Sequence, residues 1–158
     1  MKRVAAIALG SNLSSGYGDP AANIAEAVRR MGELGHVRAV SSMFVTAPVG
    51  YTSQPDFTNA ALLLETELEP LDLMRALLAI ELAMGRDRSA AVPPKGPRII
   101  DLDLLLMEDV VLHTPELTLP HPSLAERRFV LEPLAEITPE MREPRTGHTV
   151  AKMLALLQ

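Results

Sequence analysis

The segment GPRIIDLD, residues 96–103, combines residue types that could bind an anionic substrate through a metal ion. It opens the longest apolar run of the sequence, Ile99 to Met107, in which the only charged residues are two aspartates. A run of this kind, entered through Gly and Pro, predicts a buried strand. Alternation along the strand places Asp101 and Asp103 on one face, about 7 Å apart along the chain. The opposite face is then hydrocarbon and consists of Ile100, Leu102, Leu104 and Leu106.

Two like charges on a core strand repel one another and resist desolvation, so a cation has to compensate them. Oxygen ligands with Arg98 at the strand entrance indicate magnesium and a polyphosphate substrate. The alternative is a solvated pair on an edge strand, which is the commoner setting for an Asp-x-Asp pattern. Leu105 and Met107 favour the metal site, because we expect them to follow on the aspartate face, and a solvated face would stay polar.

The residues ahead of this strand carry a concentration of positive charge. Between residues 86 and 98, Arg86, Arg88, Lys95 and Arg98 face the single Asp87, so four positive charges and one negative charge give a local net charge of +3. The prolines of this segment and the lack of any period predict a loop, long enough to act as a lid. A solvated surface loop is the alternative. The position of this arginine-rich loop directly before the two aspartates favours phosphate binding, since arginines stabilise transferring phosphoryl groups.

Length and composition predict a single domain, residues 1–158, with 47% hydrophobic residues for its core. The absence of cysteine favours a reducing cytoplasm. The net charge of −5 argues against nucleic-acid binding. We expect no membrane partner, because no segment approaches the roughly 18 apolar residues of a span and the apolar N-terminus is too short for a signal peptide. We also expect a monomer.

The pattern of elements predicts an α+β fold. Strands are expected at Val4–Leu9, Val37–Val45, Phe57–Glu67 and in the aspartate segment, with a hairpin near Glu108-Asp109. Helices are expected after the Asp19-Pro20 cap, at Pro70–Met84, at Phe129–Ile137 and at Thr149–Leu157. The order strand-helix-strand-strand-helix-strand is that of a ferredoxin-like βαββαβ sandwich, here with a C-terminal extension.

Three polar residues stand out against these elements. Glu81 falls within an apolar helix arc made by Leu71, Met74, Leu77, Leu78 and Leu82, where we expect it to hold Arg86 or Arg98 rather than to react. Asn59 lies early in an otherwise apolar strand and either bonds the backbone or contacts an amide-like ligand edge. His121 lies in a proline-fixed loop, where a lone histidine is more often structural than catalytic.

Six segments appear in order from Ala8 to about Leu134. They are ALGSNL (8–13), TAPVG (46–50), QPDFTNAA (54–61), ELAMGRDR (81–88), GPRIIDLDLLL (96–106) and LPHPSLAERRFVLEPL (119–134). The most specific part is GPR-x-x-DLD followed by PH…R-x-F. Together these segments resemble the 6-hydroxymethyl-7,8-dihydropterin pyrophosphokinase family.

The resemblance implies transfer of the terminal diphosphate of ATP to the hydroxymethyl oxygen of the pterin, with release of AMP. It implies that Asp101 and Asp103 bind two magnesium ions and that they act in catalysis with Arg86 and Arg98. Residues implied to bind ATP are Leu78, Arg86, Arg88, Arg98, Leu104, Thr118, His121 and Arg127. Residues implied to bind the pterin are Thr46, Val49, Phe57, Asn59, Asp101 and Phe129.

The sequence also departs from the family pattern. Lys95 stands where an aromatic residue often precedes Gly-Pro-Arg, Pro122 stands where an aromatic is sometimes found, and Phe57 replaces the tyrosine of some members. Two other functions stay open at this point. One is a ligand-binding module without chemistry, and the other is a different magnesium-dependent transferase, which would release ADP or free pyrophosphate instead of AMP.

Overall fold

A computed structural model of the chain describes residues 1–48, 53–85 and 97–157. The strands are Arg3–Ser11 (β1), His36–Val40 (β2), Phe44–Thr46 (β3), Phe57–Thr66 (β4), Asp101–Met107 (β5), Leu112–His113 (β6) and Thr118–Leu119 (β7). The α-helices are Pro20–Met31 (α1), Pro70–Ala83 (α2), Arg128–Ile137 (α3) and Val150–Ala155 (α4).

The main sheet is antiparallel, and β1 is its central strand. Its strand order is β2-β4-β1-β5, and β3 lies beside β4 as a continuation of the β2 edge. Strand β1 pairs with β4 on one side and with β5 on the other, so it separates these two strands in the sheet. The short strands β6 and β7 form a separate pair. The predicted combination of helices with a sheet is confirmed.

Helices cover both faces of this sheet. Helix α1 packs on β1 and β4, and α2 packs on β5, around a core that includes Ile7, Leu62 and Leu102. Helices α3 and α4 pack together on the other face. Because both faces are buried, β4 and β5 are apolar along most of their length rather than alternating. Helix α1 begins as predicted, with Asp19 Oδ1 accepting the Ala22 N–H at 2.9 Å.

The strand predicted at Val37–Val45 is two strands. Ser41 ends β2, because its hydroxyl, instead of a backbone carbonyl, accepts the Ala61 N–H at 2.9 Å. The next residue, Ser42, donates its N–H and its hydroxyl to the Glu136 carboxylate on α3, both at 2.7 Å. Pairing with β4 resumes at Phe44, opposite Asn59. The Ser41 N–H still donates to the Ala61 carbonyl at 2.9 Å, but from there to Phe44 side-chain hydrogen bonds take the place of the backbone ladder, which a propensity pattern cannot reveal.

Strand β5 contains a β-bulge that the sequence pattern did not predict. Ala6 pairs with Leu106 and Ile7 pairs with Leu104, so Leu105 is the extra residue. Asp101, Asp103 and Leu105 share one face as expected. Beyond the bulge the alternation is reversed, since Leu106 joins the core under α3 and Met107 joins the core under α1 and α2. The predicted faces of Leu106 and Met107 were therefore wrong.

Two further predictions need correction. The buried face of α2 consists of Leu73, Leu77, Ile80 and Glu81, whereas Leu82 is 63% exposed, so the predicted apolar arc was rotated around the helix. The turn at Glu108-Asp109 exists, with Asp109 at φ 57°. It does not close a hairpin with β5, because β6, the strand that follows, pairs with β7.

None of the helices within 1–48, 53–85 and 97–157 has the length and apolar character that crossing a bilayer demands.

The turn between α1 and β2 requires a glycine. A Cβ atom on Gly35 would overlap the backbone carbonyl oxygen of Glu65. We expect Gly35→Ala to lower the free energy of unfolding by about 1–3 kcal/mol, because backbone must move to admit the methyl group. Gly16→Ala is the control, since a Cβ there meets nothing within 4 Å. Urea unfolding measures both, and equal stability of the two variants would contradict the prediction.

Candidate active site

Small residues of β1 form the floor of the site. Gly10 pairs with Asn59 on β4 and with Asp101 on β5, and Ala8 likewise pairs with Asp103. Since neighbouring strands lie about 5 Å apart, the backbones of Asn59 and Asp101 are held about 10 Å apart. A Cβ atom on Gly10 would lie 3.3 Å from Asn59 Oδ1. The lack of a side chain at this position therefore leaves room between the amide and the carboxylate.

Each aspartate has an arginine beside it, and each arginine lies over a phenylalanine. Arg98 Nη1 is 3.0 Å from Asp101 Oδ2, and its guanidinium carbon is 5.8 Å from the centre of the Phe57 ring. Arg127 Nη1 is 3.8 Å from Asp103 Oδ2, and its guanidinium carbon is also 5.8 Å from the Phe129 ring centre. Positive charge thus compensates both carboxylates, and cation–π contacts orient both guanidinium groups.

These groups line a first cleft of about 430 Å³ above the floor. It brings together seven of the residues singled out from the sequence: Phe57, Asn59, Arg98, Asp101, Asp103, Arg127 and Phe129. Its walls combine two aromatic rings with mostly polar and charged side chains, so the cleft offers flat apolar surface and hydrogen-bonding groups together. Ala47, Ser123 and Glu126 complete the lining. Sequence reasoning missed these three, because nothing in their local pattern distinguishes them from ordinary loop residues.

A second cleft of about 320 Å³ lies between α2, β5 and the segment around β7. It is lined by four further residues singled out from the sequence, namely Leu78, Leu104, Thr118 and His121. Asp103 lines both clefts, so the two cavities share this residue. Thr114, Glu116 and Leu117 also line the second cleft, and they have no sequence signal that would have predicted it.

Asn59 is 7% exposed, and its amide is held in a fixed orientation. Its Nδ2 donates to Thr46 Oγ1 at 2.6 Å across the β3–β4 pair. Thr46 itself lines a small apolar pocket behind Phe129 rather than the first cleft. The structure therefore places Thr46 behind Asn59, in direct hydrogen-bond contact with its amide.

His121 is oriented by two backbone contacts. The backbone N–H of His121 donates to the Leu105 carbonyl at 2.7 Å. The ring nitrogen Nδ1 accepts the backbone N–H of Ser123 at 3.1 Å. Because Nδ1 is an acceptor, the proton of the neutral ring is on Nε2. Burial lowers the pKa of His121 below its ordinary value, the charge of Arg127 lowers it further, and Asp101 opposes both effects.

Glu81 is fully buried under β5. Its Oε2 accepts the Leu102 N–H at 2.7 Å, between the two aspartates of the strand. This bond fixes the backbone that carries them and is consistent with the structural role expected for Glu81. The expected pairing of Glu81 with Arg98 or Arg86 stays a prediction.

Part of the predicted site lies outside the described residues. This applies to Val49, Arg86, Arg88 and Lys95, and to most of the loop interpreted as a lid.

The acidic pair fits a magnesium site in which the protein supplies only carboxylates and the substrate supplies other ligands. Asp101 and Asp103 have side chains 25% and 36% exposed, so their oxygens face the clefts. Within the described residues no cluster of three or more ligating side chains exists. Magnesium is commonly held by one or two carboxylates, with substrate phosphates and water completing its coordination. The two aspartates therefore suit a metal that arrives with a phosphate-bearing substrate.

Comparison with known proteins identifies the family. Residues 6–139 match the family model described as 7,8-dihydro-6-hydroxymethylpterin-pyrophosphokinase. The chain is 42% identical over 144 residues to the 2-amino-4-hydroxy-6-hydroxymethyldihydropteridine pyrophosphokinase of Pseudomonas aeruginosa, covering 90% of this chain and 85% of that protein. The enzyme of the same name from Bacillus subtilis is 39% identical over 149 residues, covering 93% of this chain and 85% of that protein.

Longer proteins contain a similar part. The chain is 37% identical over 154 residues to a folic acid synthesis protein of Schizosaccharomyces pombe, covering 96% of this chain but only 20% of that protein. The crystal structure of Plasmodium falciparum HPPK-DHPS matches 99% of this chain with a TM-score of 0.75 and 15% identity, and the chain spans 43% of its length. At that identity the structural match supports the fold alone.

The family match and the named relatives define the chain as a diphosphotransferase. It belongs to the 7,8-dihydro-6-hydroxymethylpterin-pyrophosphokinase family.

The depressed pKa of His121 can be tested through its neighbour. We expect Arg127→Gln to raise the pKa of His121 toward the ordinary value of about 6.5, because a repelling positive charge is removed. The unfolded chain binds a proton at His121 near pH 6.5 and the folded chain only at lower pH. The contribution of this group to the free energy of unfolding therefore falls as the pH drops below about 6.5.

NMR titration of the imidazole ring protons measures the effect. Arg128→Gln is the matched control, because Arg128 is exposed and pairs with Glu132 on α3. A pKa of His121 that stays constant in Arg127→Gln, or that shifts equally in both variants, would show that Arg127 does not act on it.

Proposed function

We propose that the two clefts hold the two substrates of a pyrophosphoryl transfer, with 6-hydroxymethyl-7,8-dihydropterin in the first and the nucleotide of ATP in the second. The reaction itself follows from the family: the chain transfers pyrophosphate to hydroxymethyldihydropterin in folate biosynthesis. The observation that carries the proposed arrangement is that Asp103 lines both clefts. Groups bound on either side of this carboxylate would meet there, where a transfer requires them to meet.

The first cleft suits a pterin for chemical reasons. Phe57 and Phe129 both line it and offer flat apolar surface to a bicyclic ring. One N–H of the Asn59 amide is engaged by Thr46, and an amide has a second N–H and a carbonyl oxygen for a ring edge with adjacent donors and acceptors. Thr46 would act on the pterin through Asn59, and Val49 is proposed to contribute from the adjoining loop.

The second cleft suits a nucleotide. Leu78 and Leu104 supply apolar walls for a base, and Thr118 lies at the same cavity. His121 presents its Nε2–H as a neutral donor, which a phosphate oxygen can accept. Arg98 and Arg127 lie at the aspartates, where the phosphates would reach the junction of the clefts. We propose that Arg86 and Arg88 add positive charge there.

We propose that Asp101 and Asp103 hold two magnesium ions when ATP is bound. Bound magnesium supplies charge neutralisation of the phosphate oxygens and Lewis-acid polarisation of the transferring group. The chain's own contribution is to fix geometry. Asp101 and Asp103 are held by the β1–β5 ladder, and the backbone between them is held by Glu81.

The transfer requires little covalent chemistry from the protein. A bond forms between the hydroxymethyl oxygen and the β-phosphorus, the bond from the β-phosphorus to the oxygen bridging to the α-phosphorus breaks, and AMP leaves with that oxygen. The hydroxyl proton is lost to solvent. Such a displacement depends mainly on alignment and on stabilisation of negative charge by Arg98 and Arg127.

We further propose that residues 1–158 form a single ferredoxin-like domain with an added C-terminal layer. The strand order β2-β4-β1-β5, with α1 and α2 on one face, supports the ferredoxin-like part, and α3 and α4 on the other face support the addition. The absence of cysteine supports a reducing compartment such as the cytoplasm.

Phosphorus NMR tests the proposed function. The purified protein is incubated with ATP, magnesium and 6-hydroxymethyl-7,8-dihydropterin, and each component is omitted in turn. We expect AMP and a pterin diphosphate, formed only when all three are present. Formation of ADP would overturn the pyrophosphoryl assignment, and ligand binding without turnover would favour a binding module.

The role of the acid pair is tested by Asp103→Asn. This substitution keeps the shape of the side chain and removes its charge, so we expect the turnover rate to fall about 10²- to 10³-fold. The matched control is Glu116→Gln, which removes a charge from an exposed residue of the second cleft that pairs with Arg75. Steady-state AMP formation measures both. Turnover of Asp103→Asn near that of the control would contradict the proposal.

The assignment of each cleft is tested by a reciprocal pair of variants. We expect Asn59→Ala to raise the dissociation constant of the pterin about tenfold and to leave that of ATP nearly unchanged, because only the pterin loses its hydrogen bonds. We expect Leu78→Ala to weaken ATP binding only. Calorimetric titration with each ligand separates the effects, and an equal loss of both ligands in either variant would indicate a structural role.

A further inference from the structure

Asn12 links three segments of the chain and bonds the backbone of Arg98, a residue that lines the first cleft. It directly follows β1 and is 3% exposed. Its backbone N–H donates to the Arg98 carbonyl at 3.1 Å, and its Oδ1 accepts the Arg98 N–H at 2.9 Å. Its Nδ2 donates to Gln54 Oε1 at 2.8 Å and to the Pro55 carbonyl at 3.0 Å. Both hydrogens of the amide nitrogen are thereby used.

The orientation of this amide follows from its partners. A backbone N–H can only donate, so the oxygen of the Asn12 amide must face Arg98. A backbone carbonyl can only accept, so the nitrogen must face Pro55. Of the side chains similar in shape to asparagine, aspartate lacks the N–H donor, and leucine lacks both the donor and the oxygen acceptor. The network therefore requires asparagine for chemical reasons as well as for shape.

Asn12 also occupies a specific place in the topology. Strand β1 lies between β4 and β5, and its ladders with them end at Ser11 and at Gly10. Immediately beyond that end, the Asn12 side chain bonds the segment that leads into β4 and the segment that leads into β5. It thus continues the connection between these strands where backbone pairing stops.

The two linked segments carry opposite sides of the site. Pro55 is two residues ahead of Phe57, which lines the cleft assigned to the pterin. Arg98 pairs with Asp101 at 3.0 Å and lies over the Phe57 ring. We propose that Asn12 is a positioning residue that sets the distance between the phosphate-binding Arg98 and the ring-binding Phe57. This inference rests on the proposed function, which gives those two residues their ligands.

A positioning role has a defined kinetic consequence. If Asn12 sets the distance between the two substrates, its loss leaves each substrate bound but misplaces the attacking oxygen relative to the β-phosphorus. Displacement by about 1 Å can cost roughly 100-fold in rate. A merely structural role would instead lower stability and weaken the binding of both ligands together.

The test uses Asn12→Asp in the full chain. The substitution keeps an oxygen for the Arg98 N–H and sets a carboxylate oxygen against the Pro55 carbonyl, which can only accept, so the bond from residue 12 to Pro55 is lost. We expect the single-turnover rate of pyrophosphoryl transfer, measured by rapid quench with both substrates saturating, to fall about 10- to 100-fold. We expect the separate dissociation constants of magnesium-ATP and of the pterin to change less than about threefold.

Asn23→Asp is the matched control. Asn23 is a fully buried asparagine whose Nδ2 donates to Ser11 Oγ at 3.2 Å and to the Leu13 carbonyl at 2.7 Å, within the β1–α1 connection. It therefore undergoes the same chemical change without bridging β4 and β5. We expect its transfer rate to stay within about threefold of wild type, whatever the loss in Tm. An equal fall in rate for Asn23→Asp and Asn12→Asp would overturn the inference.

Two further outcomes decide the question. An unchanged transfer rate in Asn12→Asp overturns the inference, as does a fall that the dissociation constants account for entirely.

If Asn12→Asp does not fold, Gln54→Leu tests the same bridge from the half-buried partner. We expect the transfer rate of Gln54→Leu to fall about 3- to 10-fold, and an unchanged rate overturns the inference. The wild-type protein in the same assay reports on the proposed function alone, because absence of AMP there means that the proposed function has failed.

Discussion

The antiparallel pairing of β1 with two neighbours at once is the constraint on which the rest of the site depends. Gly10 lies opposite both Asn59 and Asp101, so a single residue without a side chain fixes the spacing between an amide and a carboxylate. Side chains alternate between faces along a strand, and a slip of one residue in either ladder would turn one of these groups into the opposite core. Burial of both sheet faces makes such a slip costly. The geometry of the site is thus enforced by the same packing that stabilises the fold.

Electrostatics explains why the acidic pair is stable before any substrate binds. Asp101 and Asp103 lie on one face of β5 and repel each other, and each has an arginine close by. These arginines satisfy the carboxylates in the free protein and would also be attractive partners for phosphate. Binding of a polyphosphate with its metal would therefore exchange one set of opposite charges for another. Such an exchange avoids leaving a buried charge without a partner at any stage.

The sequence predicted which residues come together at the clefts better than it predicted how their surroundings pack. Asp101 and Asp103 could be placed on one face because alternation over two residues is robust, and Asp19-Pro20 predicted the start of α1 because the capping residues are adjacent. Leu105 could not be recognised as a bulge, because its side chain is as apolar as its neighbours and the bulge depends on pairing with β1. The exposure of Leu82 likewise depends on how α2 packs, since the helix is apolar on several sides.

The role of Asn12 and the break at Ser41 were missed for a related reason. Both depend on side chains that bond backbone groups distant in the sequence, and no local pattern reports such bonds. The residues that sequence reasoning identified are those whose types are unusual for their setting, such as aspartate or asparagine in an apolar strand. The residues that it missed are of types common in loops and at strand ends, and only their contacts in the folded chain distinguish them.

The interruption between β2 and β3 has a consequence for how the protein behaves at high concentration. This side of the sheet is an edge along which Val40, Met43 and Val45 are exposed. A continuous apolar edge would present a row of backbone donors and acceptors to a second chain and would promote intermolecular β-pairing. The Ser41 and Ser42 contacts instead divide it into strands of five and three residues and tie the gap to α3. Short, interrupted edges are poor templates for intermolecular β-pairing, so two serines and a glutamate oppose such pairing along this edge.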